Sequence, residues 1–173
     1  MATPERIREV FEGQHATALR LRTSTAAERI AKIKRLREAV LSRPDVWYEA
    51  AYADFKKPKG EVDLAEILPV AIEANDAIAN LEQWMKRTRV RPTLLTAGTS
   101  AWIQHEPRGR CLIVSPWNYP VNLTFGPLVS AIAAGNTAII KPSEMTPNLS
   151  AAMAKLIHEV FTVNEVAPPL GST

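Results

Sequence analysis

The chain has 173 residues, 46% of them hydrophobic and 23% charged, which is enough apolar material for one packed domain and too much for a disordered one. A formal net charge of +3 is too small to argue for nucleic acid or an anionic membrane as partner, and no apolar run approaches the roughly 18 residues of a membrane span. The single cysteine, Cys111, excludes an internal disulfide framework; with a charged N-terminus that lacks the apolar core of a signal peptide, it predicts a cytoplasmic protein.

Residues 5–21 place Ile7, Val10, Phe11, Ala18 and Leu21 near helical spacing and predict a first helix. Thr25-Ala26-Ala27-Glu28 has the form of a capping box, in which hydroxyl and carboxylate satisfy orphan amides reciprocally. A second helix should follow to about Leu41, with Ile30, Ile33, Leu36 and Val40 turned inward. Pro44 suits the first turn of a third helix ending near Phe55. "KKPKGE", residues 56–61, reads as a connector, and a long helix is expected over Val62–Met85, with Pro69 either early in it or dividing it. The basic run "RIAKIKRLR", residues 29–37, keeps its apolar residues at helical spacing between Glu28 and Glu38, so it reads as a solvated helix face.

Residues 86–100 form a basic, Thr-rich link expected to be irregular, after which the periodicity changes. "SAWIQHE" alternates as a short strand does, "PRG" turns, and "RCLIV" is a compact apolar strand. Residues 123–134 predict an apolar helix despite Gly126-Pro127, and Gly135-Asn136 is a suitable helix stop. "TAIIKP" is a second compact strand, and Pro147 opens a last helix with Thr146 as its cap. The order from 110 to 161 is strand, helix, strand, helix, and both strands are continuously apolar, as parallel strands covered on both faces should be. The fold class expected is therefore α/β: N-terminal helices followed by the first part of a Rossmann-like parallel sheet.

In open α/β sheets ligands bind beyond the carboxyl ends of the strands. Those ends are "SPWNYP" and "KPSE", both polar and both stiffened by proline. Glu144 follows Asn118 by 26 positions, near the spacing at which dinucleotide-binding folds place an acid on the ribose hydroxyls, although the G-x-G-x-x-G fingerprint is absent. Cys111 lies inside the strand with no base placed to activate it and reads as a structural thiol. His15, His105 and His158 show no metal-ligand spacing.

The stretch "PWNYPVNLTFGPLVSAIAAGNTAIIKPSE" closely resembles the cofactor-domain segment of the aldehyde dehydrogenase superfamily. The likeness extends upstream through "EPRGRCLIVSPWNYP" and, more weakly, through "YADFKKPKGEVDLAEILP", in the style of the class 3, fatty-aldehyde and coniferyl-aldehyde branch. The resemblance implies NAD(P)-dependent oxidation of an aldehyde to a carboxylic acid through attack by a cysteine thiolate. Asn118 matches the family's oxyanion-hole asparagine, and Lys141 and Glu144 match the residues that hold the adenosine ribose. Val114, Ser115, Pro116 and Trp117 match the wall beside the cofactor. A carboxylate at 144 should repel a 2′-phosphate, which leans the cofactor toward NAD with NADP tolerated. The resemblance also implies an aldehyde substrate and a homo-oligomer in the complete enzyme, with no nucleic-acid partner.

The organisation expected is a helical segment over 1–100, an oligomerisation-type strand and turn over 101–109, the first half of the cofactor domain over 110–163 and an atypical tail over 164–173. "VNEVA" has the form of the start of a third strand, which "PPLGST" interrupts with two prolines. The family's cysteine nucleophile and general-base glutamate belong to motifs that follow this segment. The expectation is a truncated, frameshifted or internally deleted product, inactive alone and fragile because half a core leaves apolar surface exposed. The alternative reading is a non-catalytic piece, at most a weak nucleotide-binding or interaction module.

Overall fold

A computed structural model describes residues 3–168. Helices α1 (Pro4–Gly13) and α2 (His15–Arg22) replace the single helix expected over 5–21. They meet at Gln14, which is fully buried and whose amide Nε2 donates to the carbonyls of Ala138 at 2.9 Å and Val163 at 3.4 Å. A polar side chain drawn onto strand backbone breaks a periodicity that local pattern alone would have continued.

Helix α3 (Ala26–Leu41) opens with the expected capping box: the Glu28 amide donates to Thr25 Oγ1, and the Thr25 amide donates to the Glu28 carboxylate. Helix α4 (Pro44–Phe55) has Pro44 in its first turn. The expected connector at 56–61 is partly helical, because α5 (Lys59–Val62) leads without interruption into a π-helical turn (Asp63–Ile67) and then α6 (Leu68–Trp84). Pro69 is the second residue of α6, so of the two expected placements the early one holds and the helix is not divided there. The wider π turn just before it accommodates a residue that has no amide proton to give and a ring that crowds the preceding turn.

The link over 86–100 contains strand β1 (Thr88–Val90), which pairs antiparallel with β2 (Ala101–Ile103), so that Arg89 faces Trp102. Both strands are exposed throughout. A basic three-residue strand carries no alternation signal of its own, which is why it reads as irregular.

The second sheet is parallel, in the order β3 (Arg110–Val114), β4 (Thr137–Lys141), β5 (Val166–Ala167). Helix α7 (Asn122–Ala133) connects β3 to β4, and α8 (Pro147–Val160) leads to β5. β4 is buried through Ile140, as a central strand should be. β3 departs from the expectation of cover on both faces: Leu112 and Val114 are exposed while Ile113 between them is buried, so one face of this strand is uncovered. β5 ends before Pro168, and the final Gly-Ser-Thr lies outside the described residues.

Helices and sheet share one core. α6 packs on α7, α3 on both, and α4 on α8. Trp47 and Phe125, both fully buried, meet edge to face with centroids 5.9 Å apart, and the Trp47 indole N–H donates to the Val40 carbonyl. The N-terminal helices thus provide one wall of the compartment on which the sheet rests. Among the described residues no helix is long and apolar enough to cross a membrane.

Candidate functional site

β3 and β4 run in the same direction with Val114 opposite Lys141, and the Ser115 amide donates to the Lys141 carbonyl at 3.1 Å. This ladder brings the two polar strand ends, residues 115–118 and 141–144, to one edge of the sheet. Ser115 is buried and its hydroxyl shares a 2.7 Å hydrogen bond with that of Thr124, which ties the strand end to α7. Val114, Pro116, Trp117 and Asn118 are all exposed on this edge. Lys141 Nζ donates to the Glu144 carboxylate at 2.7 Å, and both side chains are open to solvent. That lysine hydrogen bond holds the Glu144 carboxyl below its ordinary range, so Glu144 is an anion at neutral pH.

The helix after this edge begins in an unexpected way. Thr146 occupies the cap position of α8 but its hydroxyl donates back to the Ser143 carbonyl and caps nothing. The free amides of Asn148 and Leu149 are instead met by the two oxygens of Asp54, at 3.1 and 2.9 Å, across a sequence gap of more than 90 residues. Likewise Arg29, expected on a solvated helix face, is buried; its guanidinium donates to the carbonyl of Ala133 and to the Ser24 hydroxyl. Lys32 pairs with Glu165 at 2.5 Å, whereas Lys34 and Arg35 are exposed as expected. α7 ends in a Schellman motif at Gly135, φ +84°, with the Asn136 amide donating to Ala131 and the Gly135 amide to Ile132.

Sequence reasoning missed two residues that hold the Asn118 turn. Lys57, in the supposed connector, and Glu66, in the π turn, are both buried and lie 2.7 Å apart. Lys57 Nζ also donates to the Asn118 carbonyl at 2.9 Å, and the ammonium sits 4.5 Å from the Tyr119 ring centroid and 4.8 Å from that of Phe55. The second oxygen of Glu66 accepts from the amides of Val121 at 3.0 Å and Asn122 at 3.1 Å. Burial pushes the Glu66 carboxyl upward, while Lys57 and the two amides pull it back. The one hint in the sequence is an acid set within the apolar run "LAEILP".

Beside the turn a groove of about 710 Å³ runs between α6 and α7, lined by Leu64, Leu68, Ile72, Asn122 and Gly126 among others. Cys111 is half-buried within β3, and burial raises its thiol above the ordinary range, which disfavours the thiolate that a nucleophile needs.

A parallel sheet whose strand ends carry a turn-held asparagine on one side and a lysine–glutamate pair on the other defines the open edge of an α/β ligand-binding fold. The chain belongs to the aldehyde dehydrogenase family, whose model matches residues 1–167. It is 40% identical over 161 residues to the putative aldehyde dehydrogenase AldX of Bacillus subtilis, covering 93% of this chain and 36% of that protein. It is 39% identical over 169 residues to aldehyde dehydrogenase family 3 member B1 of Bos taurus, covering 98% and 35%. Among solved structures, the substrate-bound state of Staphylococcus aureus AldH superposes with a TM-score of 0.88 at 38% identity, over 92% of this chain and 35% of that one. The chain thus spans about a third of the length of the relatives it matches.

Proposed function

We propose that this chain supplies the oxyanion donor and part of the dinucleotide-binding edge of an NAD(P)-dependent aldehyde dehydrogenase. The observation that carries the reading is the Asn118 turn: an exposed amide side chain on a main chain fixed by two prolines and by the buried Lys57–Glu66 pair. When a thiolate adds to an aldehyde carbonyl, the oxygen gains a full negative charge. A preorganised N–H donor aimed at that oxygen lowers the barrier without having to be ordered during the reaction. The Asn118 side-chain NH₂ fills that role.

Lys141 and Glu144 fit a dinucleotide at the neighbouring strand end, with a cationic donor and an anionic acceptor both open to solvent. Glu144 accepts from the ribose hydroxyls, and Lys141 donates to them. Val114, Ser115, Pro116 and Trp117 form the wall, with exposed apolar surface on Val114 and Trp117 for a ring to pack on. A nicotinamide dinucleotide, when bound, supplies the hydride acceptor. The Glu144 charge favours NAD over NADP. The apolar groove that starts at Asn122 accommodates the carbon chain of an aldehyde.

These 173 residues do not include the attacking thiolate, because their one cysteine, Cys111, is protonated within a strand. Purified alone they produce no NADH from an aldehyde. The exposed β1–β2 ribbon, with Trp102 and Ile103 outward, suits an oligomer contact. Asn118→Ala, in a polypeptide that contains this chain and turns over an aldehyde, should lower kcat by about 10²–10³ with little change in KM. A change in KM alone would contradict the oxyanion role.

A further inference from the structure

We infer that Lys57 and Glu66 are positioning residues for Asn118, a buried charged clamp that fixes the turn from behind. The inference rests on the oxyanion reading for its functional meaning, but the clamp itself is a statement about the main chain. Nothing in the turn's own sequence fixes it completely. Pro116 and Pro120 set two φ angles, and the Tyr119 carbonyl accepts from the Leu123 amide at 2.9 Å, yet these leave the Asn118 carbonyl between the prolines without a local partner.

The clamp holds the turn from both ends. On one side, Lys57 Nζ holds the Asn118 carbonyl, 2.9 Å away. On the other, Glu66 holds the amides of Val121 and Asn122, which open α7 and have no intrahelical partner. The 2.7 Å Lys57–Glu66 contact joins the two grips into one unit. Each contact is a hydrogen bond with one charged partner or two, the strong kind, and Glu66 is fully out of water. The pair is also well removed from solvent by its surroundings, with the ammonium against the faces of Phe55 and Tyr119.

The placement of Glu66 in a π turn is consistent with this task. A π turn inserts one residue relative to an α-helix and re-aims the side chains that follow. Here it brings an acid from a helix with an otherwise apolar inner face onto the start of α7. A buried ion pair is seldom a gain in stability over a well-packed apolar pair, so its presence calls for a geometric purpose. Orientation of the Asn118 main chain is the purpose the contacts describe.

The test is amide exchange and backbone relaxation by NMR on the 173-residue chain, with Ile33 and Leu36 in α3 as internal references for global opening. In Glu66→Gln the amide NH₂ must face either Lys57 or the two backbone amides, donor against donor. Exchange at Val121 and Asn122 should rise at least about tenfold relative to the references. In Lys57→Met, which keeps the stem and removes the charge, the Asn118 and Tyr119 order parameters should fall from about 0.85 to below about 0.6. A general loss of stability would move the references as well and leave the ratio unchanged. If Glu66→Gln does not fold, Lys57→Met decides alone.

Wild-type exchange ratios and order parameters in the folded variants would overturn the clamp. Asn118→Ala is the control that separates the two ideas, because it leaves the clamped carbonyl and amides in place and should leave both readouts at their wild-type values. A rigid turn in the clamp variants sinks the clamp and leaves the oxyanion role standing. Undiminished turnover in Asn118→Ala, measured in a catalytically active polypeptide that contains this chain, sinks the oxyanion role and leaves the clamp.

Discussion

Gly135→Ala probes the joint between α7 and β4, on which the whole strand-end edge depends. Gly135 has φ +84°, and a Cβ built there would lie 2.6 Å from the Arg29 guanidinium carbon. An L-residue in the left-handed region costs about 1–2 kcal/mol. To admit the methyl, Arg29 must withdraw from the Ala133 carbonyl at 3.0 Å and the Ser24 hydroxyl at 2.9 Å. Losing a hydrogen bond to a charged group costs about 1.5–3 kcal/mol, so with the loss of even one of the two the total is about 2.5–5 kcal/mol. That is a large share of the roughly 5–15 kcal/mol that holds a domain folded. Urea titration of the purified chain should show it as a lower midpoint, with a Tm lower by roughly 10 °C. Arg29→Met removes the same hydrogen bonds and also the obstacle. The double variant should therefore fall short of the sum of the singles by about 1.5–3 kcal/mol. A Gly135→Ala loss under about 0.5 kcal/mol, or strict additivity with Arg29→Met, would refute the steric account.

Asp54→Ala leaves the first-turn amides of α8 without their distant partner and should cost about 1–2 kcal/mol, read as a Tm fall of roughly 2–8 °C; Thr146→Ala, whose hydroxyl does not cap, should cost less. Glu144→Gln removes an exposed anion from the expected ribose site, and the ratio of NADP to NAD affinity should rise a few-fold to about tenfold at low salt, measured by titration calorimetry; an unchanged ratio would detach Glu144 from cofactor choice. On the acid side, burial raises the Glu165 carboxyl, but the Lys32 hydrogen bond and charge, with Thr162, outweigh it and leave a net depression. Glu28 is depressed by the Thr25 amide and hydroxyl of its capping box. Both contribute stability that is fully present above their unfolded value near 4.5 and lost as pH falls through the lower folded values. Glu165→Gln should flatten the fall in Tm below that pH, and a curve that overlays wild type would refute the linkage.

Much of the fold was legible because it rests on local rules. The Thr25–Glu28 box, Pro44 and Pro147 at helix starts, Gly135 at a helix end and two short apolar strands each carry their cause within a few residues. Three of the misreadings share one cause. Gln14 breaks a helix because it reaches Ala138, and Arg29 leaves the solvated face because it reaches Ala133. Asp54 displaces Thr146 as the cap of α8 from 92 positions upstream of that residue. In each, a long-range hydrogen bond to backbone outweighs the local preference, since a buried amide or carbonyl left unpaired costs more than a frayed helix end.

The candidate site divides along the same line. The sequence by itself determined the residue types at the strand ends, the prolines around Asn118, the Lys141–Glu144 spacing and, through them, the family. Chemistry at a strand end needs only a short contiguous motif, and such motifs survive in one dimension. Only the tertiary structure decided what holds that motif still. Lys57 and Glu66 stand 61 and 52 positions before Asn118 in the chain, and a carboxylate or an ammonium announces nothing about its partner until burial strips away the water that would otherwise satisfy it.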